Sequence, residues 1–117
     1  MLLYNVGLEM ELSLDMTQTG LEMFFKPYMI ASLELLWNTK ETLSSRQVWE
    51  QVNEMLPGTI SRASIINFLN ASVDTGLLDY EETTGKGGYR RLYTPKMDKA
   101  STSSFLAEAV KTKLQTL

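Results

Sequence analysis

The sequence contains neither cysteine nor histidine. Without cysteine there is no disulfide framework, no thiol nucleophile and no thiolate ligand. Without histidine the commonest general base and the commonest metal ligand are both missing. Carboxylate chemistry remains, but the tight acid pairs, Glu9 with Glu11 and Glu81 with Glu82, read as solvated faces with no convergent pocket. A GxxxxGK[ST] phosphate loop is also lacking: the run Gly85 to Gly88 is too short, and no helix follows it. These absences point away from an enzyme. No residue pattern asks for a cofactor, a metal or a small-molecule effector.

Long apolar runs are missing too. None reaches the roughly 18 residues that cross a bilayer. Met1 to Leu3 has neither the basic start nor the small-residue cleavage site of a secretory signal. The expectation is a cytoplasmic, nucleoid-associated protein with no membrane partner.

What is present is a chain of 117 residues with 44% hydrophobic and 21% charged side chains, enough for one globular domain with short extensions. The net charge of −3 is unevenly spread. Residues 1–25 hold Glu9, Glu11, Asp15 and Glu22 and no base. All eleven lysines and arginines lie beyond them, against the ten remaining acids. The acid excess belongs to the N-terminal extension, and the rest of the chain is close to neutral.

Residues 8–16 alternate apolar and polar side chains, which predicts a half-buried strand or arm, and Asp15 to Gly20 reads as a turn. Residues 28–38 place Met29, Leu33, Leu36 and Trp37 on one face of a first helix, with Pro27 suited to its first turn. Ser44 or Ser45 caps a second helix with a stripe of Val48, Val52, Met55 and Leu56, stopped by Pro57-Gly58. Ser61 caps a third helix running to Thr75, with Ile65, Leu69 and Val73 on its buried side and Gly76 at its end. Residues 77–82 and 89–94 read as two strands joined by a glycine-rich tip at 83–88. Glu41 to Leu43 suits a short first strand. Asp98 or Ser101 starts a last helix whose stripe is Phe105, Leu106, Ala109, Val110, Lys113 and Leu114.

Three helices followed by a hairpin is the order of a winged helix-turn-helix, a mainly α fold with a small β-hairpin. The expected division is an acidic extension at 1–25, a winged-helix domain at 26–96 and a C-terminal helix at 97–117. That last helix carries an apolar stripe with little core left to cover it, which predicts a homodimer.

The outward face of the third helix offers Ser61, Arg62, Ser64 and Asn67, with Asn70 and Ala71 further along. Arginine reads guanine and asparagine reads adenine in the major groove of double-stranded DNA, and serine bonds phosphate or base. Each residue alone reads first as a cap or a solvated polar side chain; their grouping opposite the core stripe favours DNA contact. At the hairpin, Lys86, Arg90 and Arg91 would supply phosphate contacts. Neighbouring strand residues point to opposite faces, so one arginine is expected on phosphate and the other on an acid such as Glu81 or Glu82. Lys40 and Arg46 are weaker phosphate anchors. Trp37 and Trp49 read as core, and the seven methionines as gap fillers.

From about Pro27 to Leu117 the chain resembles the penicillinase-repressor (methicillin-resistance repressor) family of winged-helix regulators. The motifs that carry the resemblance are Leu33 to Trp37 (LELLW), Val48 to Val52 (VWEQV), Ser61 to Leu69 (SRASIINFL), Thr75 to Leu78 (TGLL), Gly88 to Pro95 (GYRRLYTP) and Phe105-Leu106. The resemblance implies a homodimeric repressor on a pseudo-palindromic operator. It places contacts to DNA at Ser61, Ala63, Ser64 and Asn67 and at the wing arginines. The chain departs from the family at Ala63, Ala71, Asp74 and Thr75, where bases are usual, and in its acidic extension. A winged-helix module that binds a protein through an edge strand is the alternative, in keeping with the pI of about 4.9.

Overall fold

The computed structural model of the chain describes residues 14–85 and 88–117. A 3-10 turn, Gly20–Met23, leads into α1, Pro27–Asn38; β1, Leu43–Ser44; α2, Ser45–Met55; and α3, Arg62–Thr75. The hairpin β2, Leu78–Gly85, and β3, Gly88–Pro95, follows, and α4, Lys99–Leu114, ends the fold. The three strands form one antiparallel sheet in the order β1-β3-β2. This is a winged helix-turn-helix with a C-terminal helix, as the residue pattern predicts.

Local chemistry explains the boundaries. Pro27 opens α1, where its missing N–H costs nothing. Ser44 and Gln47 form a reciprocal capping box on α2, at 3.2 Å from the Gln47 N–H to the Ser44 hydroxyl and 2.9 Å from the Ser44 N–H to the Gln47 amide oxygen. Gly76 ends α3 at φ +89°, a left-handed conformation that lets the Leu77 N–H return to the Ser72 carbonyl at 2.9 Å. Asp98 caps α4 by accepting from the Ser101 N–H, and these bonds hold its carboxyl below the usual range.

The core joins Leu33 and Leu36 of α1, Val48 and Val52 of α2, and Ile65, Phe68 and Leu69 of α3. Leu77, Leu78 and Tyr93 close it from the hairpin side. Phe25 is also buried, at 4% exposure, with Leu21 and Phe24 packed beside it, so the core begins ahead of α1. The start of α4 is tied to α1 by Lys99 on Glu34 at 2.6 Å and by the Trp37 indole N–H on the Met97 carbonyl at 3.1 Å. Thr102 and Leu106 are buried, whereas Leu114 is 55% exposed.

Three expectations are adjusted. Of the predicted strand at 8–16, residues 8–13 lie outside the described residues, and 14–16 are exposed and enter a turn closed by Asp15 and Thr17. The hairpin strands run further than 77–82 and 89–94, reaching the pair Gly85 and Gly88, because ladder bonds use the backbone and need no side chains there. The short first strand falls on Leu43 and Ser44, where it pairs with Tyr93 and Leu92.

Ser72 is fully buried on α3, and its hydroxyl finds no partner among the described residues. A buried hydroxyl without a bond costs free energy, and alanine is the better helix former. Ser72→Ala is therefore expected to stabilise the domain by about 1 kcal/mol, read as an upward shift of the urea midpoint at constant slope. A downward shift would mean that the hydroxyl has a partner.

Candidate nucleic-acid interface

The turn between α2 and α3 is set by two side chains of α2. The Trp49 indole N–H donates to the Ile60 carbonyl at 2.9 Å. Asn53 donates to the same carbonyl at 3.2 Å and to the Trp49 carbonyl at 2.9 Å, and accepts from the Ile60 N–H at 2.7 Å. Gly58, at φ +83°, allows the chain to reverse between them. This clamp fixes where α3 starts. Ser61 then caps the helix, accepting from the Ser64 N–H at 3.1 Å and donating to the Ser64 hydroxyl at 2.8 Å.

The buried side of α3 runs through Ile65, Phe68, Leu69 and Ser72. By helical spacing, Ala63, Asn67, Asn70 and Asp74 share the opposite face. Ala63, Asn67 and Asp74 are exposed, and Ser64, Asn70 and Ala71 are half-buried along the borders. Arg62 is exposed in the first turn.

The wing is attached to this helix. Residues paired directly across β2 and β3 share a face, so Tyr80, Glu82, Arg91 and Tyr93 look one way, and Arg90 looks the other. The Arg91 guanidinium lies 4.0 Å from the centre of the Tyr80 ring and donates to the Asn70 amide oxygen at 3.2 Å. The Tyr93 hydroxyl donates to that same oxygen. Burial raises the Tyr93 pKa against the opposing pull of Arg91, which keeps the hydroxyl protonated and able to donate. Arg91 is thus held by Asn70 and Tyr80, in place of the expected Glu81 or Glu82. The α3 side of the hairpin offers it an amide and an aromatic face, which a cation can use without a carboxylate. Arg90 stands exposed.

On the other flank of α3 sits the N-terminal segment. Phe25 and Tyr28 meet Phe68 edge-on, with ring centres 5.8 and 6.3 Å apart. The groove beside them is lined by Asp15, Gln18 and Glu22 on one side and by Ser64, Asn67 and Ala71 on the other. A second, apolar groove of about 610 Å³ lies between Leu14, Leu21 and Phe24 and the outer half of α4, at Val110 and Leu114.

The structure therefore brings together Ser61, Arg62, Ala63, Ser64 and Asn67 on the first two turns of α3, with Arg91 locked nearby and Arg90 on the far face of the wing. Lys86 lies outside the described residues. Arg46, exposed at the start of α2, approaches Glu50 at 4.0 Å. Four positioning residues, Trp49, Asn53, Asn70 and Tyr80, are not singled out for these roles by the sequence. The signal for Asn53 is an asparagine late in a helix, four residues after a tryptophan and just ahead of a Pro-Gly stop, where an amide commonly bonds turn backbone. Among the described residues no group of three or more acidic side chains is placed to hold a metal ion, and no helix is long and apolar enough to cross a membrane.

No family model and no curated protein matches the chain. The resemblance to penicillinase repressors rests on its motifs alone. Among solved structures the chain is similar to the Vibrio cholerae ferric uptake regulator (Fur), described by the rearrangement of its DNA-binding domains. Identity is 14% and the TM-score 0.48, over 63% of this chain and 54% of that one. The chain thus spans about half the length of that regulator. At this level the likeness does not extend to function.

Proposed function

We propose that the chain is a sequence-specific, double-stranded-DNA-binding transcriptional regulator, a repressor acting as a homodimer on a pseudo-palindromic operator. The observation that carries this reading is the pairing of a solvent-facing α3 with a wing arginine anchored to the same helix through Asn70. In a helix-turn-helix the N-terminal part of the second helix meets base edges. Ala63, Ser64 and Asn67 take that place, with Arg62 at the edge. Arg91, on the α3 side of the wing, and Lys86 are assigned to phosphate, and Arg90, on the opposite face, to solvent. The homodimer is assigned to the outer half of α4, where Val110 and Leu114 leave apolar surface beside the groove with Leu21 and Phe24. Repression would be steric, by occupation of a promoter.

The test is fluorescence anisotropy with DNA from upstream of the chain's own gene, titrated from low to physiological salt against random duplex. Selective binding by two chains per site, falling steeply with salt, is the expected result. Absence of binding at low salt, with capture of a protein on the wing edge, would transfer the assignment to a protein-interaction module.

Asn67→Ala separates base reading from phosphate attraction. It is expected to relax the preference at one base pair, by about 1–3 kcal/mol of discrimination, with little change in affinity for random DNA. Unaltered preference across a panel of single-base operator variants would remove Asn67 from the readout.

A further inference from the structure

Residues 14–25 do not trail from the domain. The Asp15 N–H closes the segment on the Met23 carbonyl at 2.8 Å, and Phe24 and Phe25 seat it beside Phe68 of α3. The groove of about 700 Å³ so formed has Ser64, Asn67 and Ala71 on one wall and Asp15, Gln18 and Glu22 on the other. Among its described lining residues Lys26 is the one base. Asp15 and Glu22 are exposed. The Thr17 hydroxyl and N–H bond the Asp15 carboxylate and lower its pKa, which keeps it charged.

An α-helix with its side chains is about 10–12 Å across, and the major groove is about 12 Å wide. A helix seated there has a row of phosphates along each flank. The wing flank of α3 presents Arg91, and the opposite flank presents the Asp15 and Glu22 carboxylates in the same groove as Asn67. Exposed charges act on one another over roughly one Debye length, about 10 Å at 0.1 M salt, so carboxylates lining the same groove as Asn67 would be felt by phosphates of a duplex read by Asn67.

Resting on the DNA-binding reading above, we infer that Asp15 and Glu22 form an acidic fence that sets how strongly the duplex is held. The fence repels the phosphate row on its side and leaves the wing side as the attracting edge. It lowers affinity for operator and random DNA alike, because repulsion of phosphates is blind to sequence. Occupancy is then decided by the base contacts of α3, and the complex stays readily reversible.

The experiment compares the full chain with the double variant Asp15→Asn, Glu22→Gln, using operator and random duplexes from about 50 to 300 mM salt. The amide introduced by Asp15→Asn keeps an oxygen for Thr17, and the melting temperature of each protein is measured alongside. Glu108→Gln, on α4, is the control for net charge. The fence variant is expected to bind both duplexes about three- to tenfold more tightly at the lowest salt. The gain should shrink as salt rises, with a steeper salt dependence than the parent, and the control should stay within about twofold of it. Equal binding by parent and fence variant would overturn the fence and leave the DNA-binding reading intact. Equal gains per charge removed, the control losing one carboxylate and the fence variant two, would reduce the effect to net charge and also overturn it. Failure of both proteins to bind any duplex would overturn the fence together with that reading. Binding by the variant alone would establish it.

Discussion

Asn53→Ala is expected to cost about 2–3 kcal/mol of stability, a large effect for a half-buried polar side chain. Asn53 makes three bonds, two from its amide nitrogen and one at its oxygen. Alanine removes them together and leaves the Ile60 N–H without its partner, in a turn that is partly shielded from water. Each net bond contributes about 1 kcal/mol, and an abandoned donor adds a desolvation cost. For a domain of this size the melting temperature should fall by about 10 °C or more. Asn53→Asp keeps the acceptor for Ile60 and loses the donor, so it should recover part of the loss. Urea unfolding of the three proteins decides the matter. A change within about 0.5 kcal/mol for the alanine variant, the range of ordinary surface substitutions, would mean that Trp49 holds the turn unaided. DNA binding by the alanine variant, measured well below its transition, should also weaken, because the start of α3 is no longer fixed against α2.

Replacement of Arg90 and Arg91 together by alanine is expected to weaken binding to every DNA sequence by about tenfold at low salt, and to reduce the slope of log K against log salt by about one. The single variants should differ in kind. Arg90 is exposed on the far face of the wing, so its loss should leave stability unchanged and binding within about twofold of the parent. Arg91, on the α3 side, is bonded to Asn70 and stacked on Tyr80, so its loss should both weaken binding and lower stability, the latter by about 1 kcal/mol. Anisotropy titrations at several salt concentrations, paired with thermal melts, separate the two. An unchanged salt slope for the double variant would mean that the wing does not meet phosphate.

The helices can be read from the chain because their signals are local. Ser44 with Gln47, Ser61 and Gly76 each act within a turn of their own position. The stripes of Leu33 and Leu36, of Val48 and Val52, and of Ile65 and Leu69 repeat at helical spacing. The strands are legible as strands, but their partners are not. That Arg91 reaches Asn70, 21 residues earlier, depends on the register of β2 against β3 and on how the hairpin leans on α3. No periodicity within the chain encodes that approach, and charge alone favours the wrong neighbours, Glu81 and Glu82. The seating of residues 14–25 is hidden for a similar reason. Phe24 and Phe25 carry no periodic context, and only the edge-on packing with Phe68 shows which way the segment folds. Asn67 and Ser64 are legible as an exposed pair, whereas the acids facing them across the groove read as part of a separate extension.

The shared acceptor at Asn70 restricts how this helix can be redirected to other targets. One amide oxygen serves both Arg91 and Tyr93, so position 70 belongs to the mounting of the hairpin as much as to the surface of α3. Any residue without an acceptor there releases the arginine and leaves the tyrosine hydroxyl searching for another bond. Libraries that vary the outward face of α3 should therefore hold Asn70 constant and draw their diversity from Ala63, Ser64 and Asn67. A recognition alphabet of three letters is what the wing leaves available.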